Sequence, residues 1–203
     1  MGGLVILVLV AVAVTLGVLF ARGTFDKYLI KYGLKGYPER PALSLDRTFN
    51  LKTLSAHLSF PQSWGADYKE NVVSIYTKET GATESSQSPA GVLMRPWLLA
   101  EKENSPLADI ASLWREKIQI SYPGVKITNE QPTQINGKEA YYFDIIYSES
   151  KSDLSGTKNT FKARQYIIRD GKYMYQILTT SLDPLWPLYK NTLLAIAESF
   201  KSP

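Results

Sequence analysis

Thr160–Thr180 reads TFKARQYIIRDGKYMYQILTT, and its pattern decides the architecture. Thr160 to Arg169 is rich in β-branched and aromatic residues and reads as a strand. Asp170-Gly171 accepts positive φ and supplies a tight hairpin turn into a second strand, Lys172 to Thr180. In that second strand Tyr173, Tyr175 and Ile177 alternate with Met174, Gln176 and Leu178, so both faces carry apolar character. A strand of this kind has to be covered on both sides.

Working outward, Asn136-Gly137 marks another type I′ turn, joining Thr133–Ile135 to a long strand, Lys138 to Ser148. A short strand, Val125 to Thr128, precedes it, and a polar loop from Glu149 to Asn159 follows the long strand. Downstream, Asp183-Pro184 caps a helix whose Trp186, Tyr189, Leu193, Ile196 and Phe200 share one face, with Pro187 in the first turn. Upstream, Ser105 as N-cap and Pro106 at the first helical position open another helix. Leu107, Ile110, Ala111, Trp114 and Ile118 form its apolar stripe, and Pro123-Gly124 ends it. Strands are expected at Ala56–Phe60, Val72–Thr77 and Val92–Ala100, with Pro96 confining the last to an edge or a bulge. Trp114 and Trp186 are expected to anchor the two helices on the sheet. The class is α+β, helices against an antiparallel sheet.

The N-terminus is of another kind. Gly2 to Ala21 (GGLVILVLVAVAVTLGVLFA) carries no charge and one polar side chain, Thr15. As a helix it is ~30 Å long, the thickness of a bilayer's hydrocarbon core. A cleaved signal would want a basic n-region and small residues at its exit, whereas Leu19-Phe20-Ala21 stands there; the run reads as a retained transmembrane anchor, residues 1–22. Arg22, Phe25, Lys27, Tyr28, Lys31, Tyr32 and Lys35 follow it, with Phe25, Tyr28, Leu29 and Tyr32 on one helical face. Aromatics and lysines at this place suit the headgroup layer, so contact with membrane lipid is expected through residues 2–35. Packing of that face on the domain itself is the alternative. Gly33, Gly36, Pro38 and Pro41 then form a linker, giving a juxtamembrane segment of 23–47. The basic residues beyond the span place the soluble domain on the cytoplasmic side by the positive-inside rule.

The charge is unevenly spread. The sequence pI is about 9.1, yet five basic and two acidic residues sit between Arg22 and Ser44. Of 23 basic and 19 acidic residues in the chain, the remainder holds 18 and 17. An almost neutral domain leaves no basic stripe for a phosphate backbone, and nucleic acid is not an expected partner. Lys158, Lys162, Arg164, Arg169 and Lys172 fall largely at outward strand positions and read as a solvated face.

Recognisable catalytic chemistry is sparse. The chain has one histidine and no cysteine, which excludes thiolate catalysis and His-rich metal sites. His57 lies opposite Leu58 on a strand and reads as an ordinary sheet residue. No G-x-S-x-G, Walker A, G-x-G-x-x-G or H-E-x-x-H occurs. Glu101/Glu103 and Glu149/Asp153 fall in loops and lack the order of a calcium loop. No catalytic residue, metal ligand or cofactor is expected.

Leu58-Ser59-Phe60-Pro61-Gln62-Ser63-Trp64 and Asn136-Gly137-Lys138-Glu139-Ala140-Tyr141-Tyr142, followed by Arg169-Asp170-Gly171-Lys172-Tyr173-Met174-Tyr175, Trp186 and Ser199-Phe200, resemble in order and spacing the PsbP-like superfamily. The resemblance covers about residues 48–203. It implies an α-β-α sandwich with a central antiparallel sheet. It also implies relatives that include an extrinsic photosystem II subunit, bacterial envelope lipoproteins and a nuclear Ran-binding factor. Such relatives act as non-catalytic binding or assembly modules, and those on the outer side of membranes pull against the cytoplasmic placement. The expectation is a single-pass, membrane-anchored module that recruits or stabilises a protein partner near the bilayer. The alternative is a small-ligand carrier or enzyme using a pocket between sheet and helix.

Overall fold

The computed structural model describes residues 36–51, 55–78, 88–98, 105–150 and 158–202. The chain divides into two units, Met1–Pro38 and Glu39–Pro203, and every described strand and helix belongs to the second. The anchor of residues 1–22 and the juxtamembrane residues Arg22, Phe25, Lys27, Tyr28, Lys31, Tyr32 and Lys35 lie outside the described residues. Among those that are described, no helix is long and apolar enough to cross a membrane.

The elements run β1 (Arg47–Leu51), β2 (Ala56–Phe60), β3 (Trp64–Lys69), β4 (Val72–Thr77), β5 (Ala90–Leu98), α1 (Leu107–Ser121), β6 (Lys126–Ile135), β7 (Lys138–Ser150), β8 (Lys158–Asp170), β9 (Tyr173–Leu182) and α2 (Trp186–Glu198). Strands β3-β4-β5-β9-β8-β7-β6 form one seven-stranded sheet, and β1-β2 a separate pair. All of the strand pairings are antiparallel. The class is α+β.

The doubly apolar β9 does what its pattern demands. Tyr175 and Ile177 enter one core with Leu58, Phe60, Trp64, Leu193, Ile196 and Phe200. Met174 and Leu178 enter a second core with Phe143, Ile145, Ile167, Ala111 and Ile118. Helix α2 and the β1–β2 hairpin therefore cover one face, and α1 the other. The helices are staggered. α2 packs on β9 and β5, whereas α1 packs on β7.

Several local expectations are corrected. β1 and β3 were not expected. β3 (WGADYK) has poor strand propensity, and its pairing is set by the turn that follows. Glu70 and Asn71, at φ 52° and 61°, form a two-residue turn with both central residues at positive φ, the same class as Asn136-Gly137 but without its glycine signature. Gly65 is required in β3, because a Cβ there would sit 2.5 Å from the Tyr76 ring. The turn after β8 is Gly171-Lys172, with Gly171 at φ 56°, one residue later than expected; Asp170 pairs with Tyr173 as the last rung.

β6 is one continuous strand with a bulge between Ile127 and Asn129. Pro132 is tolerated in it because β6 is an edge strand and that flank needs no donor. Pro96 of β5 faces Tyr175 of β9 beyond the last β4 partner, Met94, so the strand is an edge at that point.

Helix starts differ too. Pro106 is the N-cap residue of α1, with no side-chain cap. Its carbonyl accepts the Asp109 N–H at 3.0 Å. Before α2 comes a 3-10 turn, Asp183–Leu185, and the Asp183 carboxylate pairs with Lys162 at 2.8 Å instead of capping the helix. Trp64 is the tryptophan buried to 0 % exposure, edge-on to Tyr189 at 6.2 Å. Trp114 and Trp186 are only partly buried.

The C-terminal segment is stitched down on three sides. Phe200 packs against Tyr175 at 4.7 Å. The Asn136 side chain donates to the carbonyls of Glu198 and Phe200 at 3.0 and 2.7 Å. His57 exchanges backbone hydrogen bonds with Lys201 at 2.8 and 3.1 Å, joining the β1–β2 hairpin to the chain end. Phe200→Ala should therefore lower stability by about 3–5 kcal/mol, read as a fall in the urea midpoint with an unchanged slope.

Candidate functional site

Because α2 sits over β9 and β5, the same sheet face is left uncovered along β8, β7 and β6. Side chains alternate along a strand, so Tyr142, Asp144 and Ile146 of β7 share this face with Tyr166, Arg164 and Lys162 of β8, which are their direct cross-strand partners. The charged pair thus stands at positions whose parity is that of the core.

The Arg164 guanidinium donates to both Asp144 oxygens, at 2.6 and 2.8 Å, a bidentate geometry that fixes orientation as well as charge. It also lies 4.1 Å from the centre of the Tyr142 ring. The Tyr142 hydroxyl accepts from the Asn129 amide at 3.0 Å and from Gln131. Behind the guanidinium, the Arg164 N–H donates to Thr179 Oγ1 at 3.3 Å, and that hydroxyl donates back to the Arg164 carbonyl at 3.0 Å. The hydrogen bonds to Asp144 hold Arg164 charged well above its ordinary range, against the desolvation that opposes charge. Burial pushes Tyr166 up to about 12. Both groups keep their protons at neutral pH, so each acts here as a hydrogen-bond donor.

Between this network and the first turns of α2 is a hollow of about 250 Å³, bordered by Asp144, Ile146, Lys162, Arg164, Trp186 and Lys190. Asp144 and Asp183 balance Arg164 and Lys162. Lys190 has no ion-pair partner among the described residues. Among the described residues the hollow therefore combines two ion pairs, the Lys190 ammonium and one half-buried indole. On the opposite sheet face, where α1 leaves β4 and β5 open, a second hollow of about 170 Å³ is bordered by Leu93, Arg95, Tyr122 and Gln176.

The basic cluster expected to be a solvated face is corrected here. Lys162 and Arg164 are ion-paired and partly buried, because their strand positions face α2. Arg169, on the other face, donates to the Ser105 carbonyl at the start of α1. Of the network's central members, Tyr142 entered the sequence reading only as part of the Asn136–Tyr142 motif, and Asp144 was not singled out. The available signal was parity: a charge in step with Ala140 and Tyr142 on a strand of inward residues. His57 belongs to the β1–β2 hairpin and holds the chain end. Glu149 is exposed, and Glu101, Glu103 and Asp153 lie outside the described residues. Among the described residues no cluster of three metal-ligating side chains occurs.

Arg164→Met should destabilise the domain by about 1–3 kcal/mol, since it leaves a partly buried carboxylate without its donor. Adding Asp144→Leu should recover most of that loss, as measured by urea unfolding.

No protein-family model matches the sequence, and no curated protein matches it. Solved structures do. Cyanobacterial PsbP from Synechocystis sp. PCC 6803 is 9% identical over 77% of this chain and 92% of its own, with a TM-score of 0.56. LpqN of Mycobacterium tuberculosis, described as involved in cell envelope biogenesis, is 13% identical over 77% and 90%, at 0.52. The Ran-binding protein Mog1p of Saccharomyces cerevisiae is 10% identical over 78% and 96%, at 0.51. At such identities the likeness is one of fold, and the domain has the PsbP-like/Mog1 fold.

Proposed function

We propose that this chain is a membrane-tethered, non-catalytic module that binds a protein partner near the bilayer through the β6–β7–β8 face beside α2. The observation that carries the reading is the hollow at Trp186 and Lys190. Its floor is set by the bidentate Arg164–Asp144 pair, and its rim presents the Trp186 indole and the Lys190 ammonium. A pre-organised, charge-balanced surface of this kind discriminates partners through geometry. Similarity of fold to a Ran-binding protein and to PsbP supports a binding role, by analogy alone. The tether rests on the apolar run Gly2–Ala21. Contact with anionic lipid rests on the Arg22–Lys35 collar.

A small-ligand carrier fits less well. The α2–sheet interface is filled, with Leu193, Ile196 and Ala197 at 0 % exposure. The hollow beside α2, at about 250 Å³, is below the ~300–1,000 Å³ of usual ligand pockets, and the wider one between α1 and β6, about 410 Å³, is bordered mainly by polar side chains that include the Arg115–Glu130 ion pair.

Affinity capture of the full chain from detergent-solubilised membranes should recover a specific protein, and Lys190→Glu should reduce its recovery at least ~10-fold by weakening a contact at the rim. Failure to recover any partner by crosslinking, or equal recovery with Lys190→Glu, overturns the reading. The basic collar favours the cytoplasmic side. Protease added to right-side-out vesicles should then leave the domain intact, and digestion places it outside.

A further inference from the structure

Helix α1 packs on the sheet through Ala111 and Ile118, with Leu107, Ile110 and Trp114 beside them, and its outward face carries two large apolar side chains among polar ones. Only Ala111 and Ile118 of this helix are buried. Leu113 and Ile120 each follow one of them by two positions, about 200° around the helix. They are 66 % and 79 % exposed, the largest values among the exposed large hydrophobics. Spaced by seven, they line up along the helix and form a seam of the kind that packs against another helix. Glu116 and Lys117 flank this seam on opposite sides at nearly the same height. The Lys117 ammonium rests 4.2 Å from the centre of the Trp114 ring, on the side away from Leu113, and has to swing about its side chain to meet a facing carboxylate.

We infer that α1 is a self-association surface, and that its occupant is the α1 of a second copy of this chain. The flanking charges choose both partner and direction. About a two-fold axis parallel to the helices, Leu113 meets Leu113, Ile120 meets Ile120, and each Glu116 faces the second copy's Lys117 on both flanks. With the helices antiparallel, Glu116 would face Glu116 and Lys117 would face Lys117, which is repulsive. A surface complementary to itself under a two-fold rotation is what an isologous dimer requires. The β6–β8 face assigned to a protein partner belongs to the opposite side of the sheet, so the two surfaces are used independently.

The chain has no cysteine, which makes the test clean. Full-length Leu113→Cys and Ile120→Cys in detergent should each form a disulfide-linked dimer under mild oxidation. Leu98→Cys, also exposed at 62 % but on β5, should not. In sedimentation, Glu116→Lys and Lys117→Glu should each weaken the dimer about 10-fold or more, and the two together should restore it. Crosslinking at Leu98 as efficient as at Leu113 overturns the inference, as does a double variant no better than the singles. A wild-type chain that sediments as a monomer in detergent also overturns it.

Discussion

Strand β9 is apolar on both faces, and the rest of the domain follows from covering it. Tyr175 and Ile177 point to one side, Met174 and Leu178 to the other, and each of these side chains is almost wholly removed from water. One layer cannot do this, so the chain places α2 with the β1–β2 hairpin against one face and α1 against the other. Helices are narrower than a seven-stranded sheet, and each therefore covers only part of its face. The stagger of α1 toward β7 and α2 toward β9 and β5 leaves diagonally opposite areas open.

The open area beside α2 shows how the chain handles a sheet face without a helical lid. At positions that share parity with the core it places Asp144, Arg164, Asn129 and Gln131; Arg164 pairs with Asp144, and Asn129 and Gln131 donate to the Tyr142 hydroxyl. This keeps Tyr142 and Tyr166 buried while presenting a polar surface instead of an apolar one. A fully apolar lid-less face would be an adhesive one. The same logic explains why the edge strand β6 carries Pro132 and a bulge, both of which discourage further strand pairing.

Much of the architecture was legible because it is written in local codes. Asn136-Gly137 announces its turn, the Trp186-Tyr189-Leu193-Ile196 stripe its helix, and the Tyr173–Leu178 alternation its two cores. The resemblance read from the Pro61–Trp64, Tyr173–Tyr175 and Ser199–Phe200 motifs is matched by the fold. What escaped was non-local or atypical. β3 is paired through a Glu70-Asn71 turn that lacks glycine, and a strand beginning Trp-Gly-Ala has little propensity of its own. The candidate site was harder still. Arg164 looked like one more outward lysine-like charge until its partner, twenty residues away on β7, came into register. The anchor and its collar, the clearest features of the sequence, lie outside the described residues and enter only through hydropathy.

If doubly covered strands form the rigid platform, amide hydrogen exchange on the full chain reports it directly. Amides of Tyr166–Ile168 in β8 and Tyr175–Leu178 in β9 should exchange last, through global unfolding. Those of α1, with two buried anchors, should exchange earlier. Exchange of α1 as slow as that of β9, or of β9 as fast as the edge strand β3, would contradict the account.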